Sequence, residues 1–117
     1  MSTRLPGSKY KSVFDRGRLY RGRLFSVWVL TSPHAGRQAG VVVSKKSFHH
    51  AVDRNRAKRI MREAFRLCVS EIQEDTSIVM VGRSSLGGKS VRDVQSELRY
   101  LARRYGFQTP PHRASKE

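Results

Sequence analysis

Acid is what this sequence has least of: nine Asp and Glu stand against 24 Lys and Arg in 117 residues, a formal net charge of +15. The acids are too few and too scattered to nominate a carboxylate pair for general acid/base work. A single cysteine excludes an internal disulfide and a multi-thiolate zinc site, and Cys68 falls on the apolar side of a predicted helix, where it reads as core. The histidines His34, His49, His50 and His112 match no zinc spacing, so no metal or other cofactor is expected on the chain itself. No phosphate-cradling glycine loop, dinucleotide fingerprint or G-x-S-x-G elbow appears. The first substantial apolar run, Leu24 to Leu30, is interrupted by Ser26 and is far shorter than a membrane span, and no signal-peptide h-region precedes it. These absences leave one small soluble domain, cytoplasmic in the simplest reading, with no membrane, no small-molecule substrate and no catalytic residues of its own.

What is present is positive charge, placed unevenly. Residues 1–66 hold 16 basic and 3 acidic side chains, net +13, whereas residues 67–117 hold 8 and 6, net +2. A skew of this size points one region of the fold at a polyanion. The 38% hydrophobic content is too high for a disordered basic tail, so the charge sits on a folded scaffold.

Periodicity supplies the scaffold. Ser8 can cap a helix over residues 8–16 in which Tyr10, Val13 and Phe14 share a side, with Gly17 at a left-handed C′ position. Arg23 to Leu30 reads as a strand with Phe25, Val27 and Val29 on one face and Ser26 and Trp28 on the other. Ser32 to Gly36 is turn chemistry, and Ala39 to Val43 is a second strand, most simply paired antiparallel to the first. A long helix follows, its apolar side formed by Ala57, Ile60, Met61, Ala64, Phe65, Leu67, Cys68 and Ile72. Ser77 to Arg83, continuously apolar, suits a central strand. Ser90-Val91-Arg92-Asp93 is a capping box that opens a last amphipathic helix closed by Gly106. The order is α-β-β-α-β-α, an α+β two-layer sandwich of sheet against helices. It places one domain over residues 1–107 and a disordered tail, with Pro110-Pro111, over 108–117.

The sharpest feature lies on the long helix, where Arg54, Arg56, Lys58, Arg59, Arg62 and Arg66 face only Asp53 and Glu63. With Ala57 at zero on the wheel, Lys58, Arg62, Asn55, Arg66 and Arg59 gather at roughly 100° to 200°. Repulsion across Lys58/Arg62 and Arg62/Arg66 is scarcely relieved within the helix, which calls for an anionic partner. Arginine forks, lysine point charges and an Asn that both donates and accepts suit a nucleic-acid backbone.

The ordered set Arg54-Asn55-Arg56, Ala57-Lys58-Arg59 and Arg62-Glu63-Ala64-Phe65-Arg66 resembles the RNR signature of the protein subunit of bacterial ribonuclease P. Val43-Ser44-Lys45-Lys46 at a strand end and Phe14-x-x-Gly17 before a basic linker add to the resemblance, which runs from about Leu5 to Tyr105. It implies a protein that binds ribonuclease P RNA and the 5′ leader of precursor tRNA, while the RNA, with Mg²⁺, carries out the hydrolysis that removes the leader. It also implies a βαβ crossover of left-handed sense, against the general rule. Matched residue by residue, Arg54, Asn55, Arg56, Arg59, Lys45 and Lys46 would meet the catalytic RNA. Tyr10, Phe14, Trp28, Lys58 and Arg62 would line the leader cleft, where aromatic rings stack on bases of any identity. Arg16, Arg18, Arg21, Arg23, Arg66, His49 and His50 would be auxiliary RNA contacts. By composition alone a structural ribosomal-type RNA-binding protein remains an equal alternative, separated from the first reading by whether a single-strand cleft exists.

Overall fold

The computed structural model describes residues 3–109. Its elements run α1 (Tyr10–Arg16), β1 (Arg18–Arg21), β2 (Phe25–Thr31), β3 (Arg37–Val42), α2 (Ala51–Cys68), β4 (Thr76–Gly82) and α3 (Val91–Tyr105), with 3₁₀ turns at Gly7–Lys9, Val69–Glu71 and Ser84–Leu86. The four strands form one sheet in the order β1-β2-β4-β3. β4 is central and almost wholly buried, as its uninterrupted apolar run demands.

Two expectations about the sheet are corrected. β3 does not pair with β2; it runs parallel to β4, while β2 runs antiparallel on the other side of β4. The Ser32–Gly36 segment does turn, with the Ala35 amide donating to the Ser32 carbonyl at 3.1 Å, but it crosses the start of β4, where Ser32 donates to the Asp75 carbonyl and Thr76 donates to that of Gly36, both at 2.9 Å. The most apolar strand thereby takes the centre, and α2 supplies the crossover that parallel neighbours need. The segment expected to be a basic linker contains β1, a four-residue edge strand in register with β2 from Arg18↔Val29 to Arg21↔Ser26.

α2 and α3 pack on one face of the sheet over the main core, built from Phe25, Val27, Met61, Phe65, Ile78, Met80 and Leu98, all buried. The short α1 lies against the opposite face, where Leu5, Val13 and Val79 form a second, smaller core. α1 itself starts at Tyr10, after the 3₁₀ turn and without a side-chain cap, and Gly17 is extended (φ −80°, ψ 172°) and not left-handed, because the chain passes directly into β1. In α3 the expectations hold: Ser90 and Asp93 form the reciprocal capping box, and Gly106 closes the helix at φ 79°. In α2, Leu67 is 45% exposed and is not core, whereas Cys68 is buried and Ile72 is buried just beyond the helix. The start of the expected tail is tied down, since Gln108 bridges to Ile72 and the Thr109 hydroxyl donates to the Ser70 and Ile72 carbonyls. The rest of that segment lies outside the described residues.

Candidate nucleic-acid interface

Strand register places the aromatic candidates. On the α1 side of the sheet one cross-strand row reads Leu19, Trp28, Val79 and Gly40, and the next reads Arg21, Ser26, Val81 and Val42. α1 covers the first row. A Cβ at Gly40 would overlap the Tyr10 ring, whose hydroxyl accepts a 3.1 Å hydrogen bond from the Val41 amide, and Phe14 meets Trp28 edge to face at 5.6 Å. The second row lies past the helix, and Ser26, Val81 and Val42 are only half-buried there. The result is a trough with Ser26, Val81 and Val42 as floor, Phe14 and Trp28 along one wall and Arg21 at its β1 end. Trp28 stands on the face opposite Phe25 and Val27, as its place in the strand predicts, and it is half-buried rather than fully exposed.

The cations converge from several elements. The strand directions bring the end of β3, the end of β4 and the start of α2 to one end of the molecule, the same end as the Arg21 row. Lys45 and Lys46 are exposed on the turn after β3, which Phe48 anchors in the main core and in which the Ser44 hydroxyl accepts from the Ser47 amide. The hairpin that joins β1 to β2 is drawn to this end as well: Arg83 donates to the Gly22 carbonyl and Ser85 to that of Arg23. Arg56 donates to the Lys89 carbonyl. The structure therefore gathers Arg21, Arg23, Lys45, Lys46, Arg54 and Arg56 around one end of the sheet, which no single stretch of sequence shows.

Not all the nominated cations are equally available. The Arg54 guanidinium donates to the Phe48 and His49 carbonyls at 2.9 and 3.2 Å, clasping the loop that enters α2. Arg66 forms a two-pronged pair with Glu63 at 2.9 and 2.7 Å, and these hydrogen bonds hold the Glu63 carboxyl below its ordinary range. The side chains of Lys58, Arg59 and Arg62 make no hydrogen bond or ion pair among the described residues, and Asn55 and Arg59 are exposed. His49 and His50 stand edge to face at 5.4 Å, both exposed, at the entry to α2. Arg16 and Arg18 flank the α1–β1 junction, exposed but farther along β1 from the trough's cationic end than Arg21. Sequence reasoning missed Ser26, Val42 and Val81 as the floor; their alternation with buried neighbours was the available signal, but the row exists only once β2, β4 and β3 are in register. Among the described residues no three His, Cys, Asp or Glu side chains come together to hold a metal ion, and no helix is long and apolar enough to cross a membrane.

A four-stranded sheet with helices on both faces and a cationic end beside a half-open row flanked by Phe14 and Trp28 defines a small α+β protein of the RNA-binding class. The Ribonuclease P family model matches residues 5–106. The ribonuclease P protein component of Finegoldia magna is 34% identical over 96 residues, 82% of this chain and 83% of that protein. The component from Clostridium botulinum (strain Loch Maree / Type A3) is 30% identical over 100 residues, 85% of this chain and 89% of its own length. The solved RNase P protein of Thermotoga maritima matches with a TM-score of 0.74 at 26% identity, covering 86% of this chain and 96% of that one. The Staphylococcus aureus RNase P protein, at 23% identity and a TM-score of 0.74, shares the fold over 92% of this chain and 98% of that one. The chain belongs to the ribonuclease P protein family. As such a component it partners ribonuclease P RNA and serves tRNA 5′ processing as part of that endoribonuclease.

Proposed function

We propose that the cationic end and the free face of α2 bind ribonuclease P RNA, while the trough holds the 5′ leader of precursor tRNA, and that the RNA subunit with its Mg²⁺ performs the hydrolysis. Asn55, Arg56, Arg59, Lys45 and Lys46 meet the catalytic RNA, with Arg54 setting the loop that presents them. Phe14, Trp28 and Arg21 meet the leader, and Tyr10 fixes α1 so that Phe14 stays against Trp28. Lys58 and Arg62, half-buried and without partners on α2, add charge near the leader path. The observation that carries this reading is the half-open row Arg21–Ser26–Val81–Val42 beside the Phe14–Trp28 pair. A floor that is apolar but for the Ser26 hydroxyl, beside two half-buried aromatic rings, suits a single strand of varied sequence, each stacked base contributing about 1–3 kcal/mol.

Reconstitution tests the whole reading: at low Mg²⁺ the chain should restore 5′ processing by a bacterial ribonuclease P RNA. Failure to do so, or cleavage of precursor tRNA by the purified chain free of RNA, would overturn it. Trp28 emission should change on titration with a short single-stranded RNA. An unchanged emission while duplex RNA binds well would remove the leader from the trough.

A further inference from the structure

On the other side of the sheet, a groove of about 900 Å³ runs between the β1–β2 turn and α3. Gly22 makes it possible: a Cβ there would strike the Glu97 carboxylate and come within 3.1 Å of Leu101, so only glycine lets the turn approach the helix this closely. Glu97 then accepts from the Leu24 and Phe25 amides at 2.8 and 3.3 Å and fixes the turn against α3. Leu24 and Leu101, at the base, belong to the α2–α3 side of the sheet, and Arg21, which ends the trough on the other side, also reaches the rim of this groove.

Its walls combine cations and aromatic rings. Arg23 comes from the turn, Lys89 from the loop before α3, and Tyr100, Arg104 and Tyr105 from α3. The acids that line it are both engaged: Glu97 holds the turn, and Asp93 accepts from the Ser90 amide and hydroxyl at 2.8 and 3.0 Å. None of the ion pairs among the described residues includes Arg23, Lys89 or Arg104. Tyr105 stacks on Tyr20 at 4.2 Å, and the Arg104 guanidinium sits 5.3 Å from the Tyr105 ring, so ring and cation are held together before any ligand arrives. Tyr100 is 49% exposed, a large ring on a helix surface with no aromatic neighbour among the described residues.

We propose that this groove is a second RNA site, which takes a short single-stranded segment with a base against the open Tyr100 ring, beside the Tyr105–Arg104 pair, and phosphates on Lys89 and Arg104. An acidic peptide would satisfy the cations but would leave the prearranged rings unused, whereas a nucleotide uses both. The site does not depend on the trough being the leader site, and it gives the α3 side of the protein its own hold on RNA.

The test uses the full chain with isotope-labelled tyrosine rings, titrated with a uridine hexanucleotide and separately with hexaglutamate, while Trp28 emission is followed in parallel. The hexanucleotide should shift the Tyr100 and Tyr105 signals. Lys89→Ala with Tyr100→Ala should raise the midpoint of the Tyr105 shift by about tenfold or more, consistent with the loss of one stacked base and one phosphate contact. The Trp28 response should not change in that variant, and the unliganded Tyr105 signal reports that α3 remains docked. Tyrosine signals that stand still while Trp28 responds would overturn the proposal, as would hexaglutamate shifting the same rings at the same midpoint. Shifted tyrosines with a silent Trp28 would support it and count against the trough instead.

Discussion

Triple replacement Lys58→Ala, Arg59→Ala, Arg62→Ala should flatten the salt dependence of binding to ribonuclease P RNA loaded with precursor tRNA, which presents both the catalytic RNA and the leader, more than any other three changes on α2. These side chains lack protein partners, so each can neutralise one phosphate and release its counterion, whereas Arg54 is held by two carbonyls and Arg66 by Glu63. Each contact contributes about 0.7 to 0.9 to the slope of log K against log salt, so the triple variant should lose about 2 to 3 units. Between 0.05 and 0.2 M salt, wild-type affinity should then fall about 20- to 40-fold further than that of the variant. Fluorescence anisotropy with labelled RNA at four salt concentrations measures this, with Arg66→Ala as the internal comparison. A slope lowered by less than half a unit in the triple variant, or lowered equally by Arg66→Ala, would refute the assignment of these residues to phosphate.

Gly40→Ala should drive the Tyr10 ring off β3 and weaken its bond from Val41, at a cost of about 1–3 kcal/mol in urea unfolding. Ser90→Ala should lose about 0.5–2 kcal/mol by removing the cap of α3, measured the same way. Hydrogen bonds from the Ser90 backbone and side chain hold the Asp93 carboxyl below its ordinary value, so its contribution is complete above the unfolded pKa of about 3.9 and is lost as pH falls through the lower folded value. The stability gap between wild type and Asp93→Asn should accordingly be flat from pH 7 to about 5 and close in more acid solution. Burial pushes the Cys68 thiol up, so at pH 8 it should react with a disulfide reagent only at the rate at which the core around it opens; fast labelling of the native protein would contradict its burial.

α2, α3 and β4 were legible because each carries its own periodicity and, in α3, its own punctuation from Ser90 to Gly106. β1 was not, because Arg18 and Arg21 bound only two apolar residues, and such a segment becomes a strand only when β2 offers a ladder. The partner of β3 was equally hidden, since pairing across α2 is decided by which strand most needs the centre. On the site, the positions of Phe14 and Trp28 followed from local patterns, while the trough floor waited on register. That Arg54 clasps a loop could not be read from an R-N-R string, because its acceptors are backbone carbonyls of a turn whose shape depends on Phe48 reaching the core.

The strand order has a consequence for how the protein comes to exist on the ribosome. β4 sits between β2 and β3, so the β1–β2 hairpin and β3 cannot join into one sheet until residues 76–82 emerge. Beyond that hairpin, the strongly cationic half of the chain must therefore wait for the nearly neutral half to complete its sheet. Folding is bound to contacts of high sequence separation and should be slow for a chain of this length. During that interval the nascent chain holds its positive charge without the surface that makes it selective.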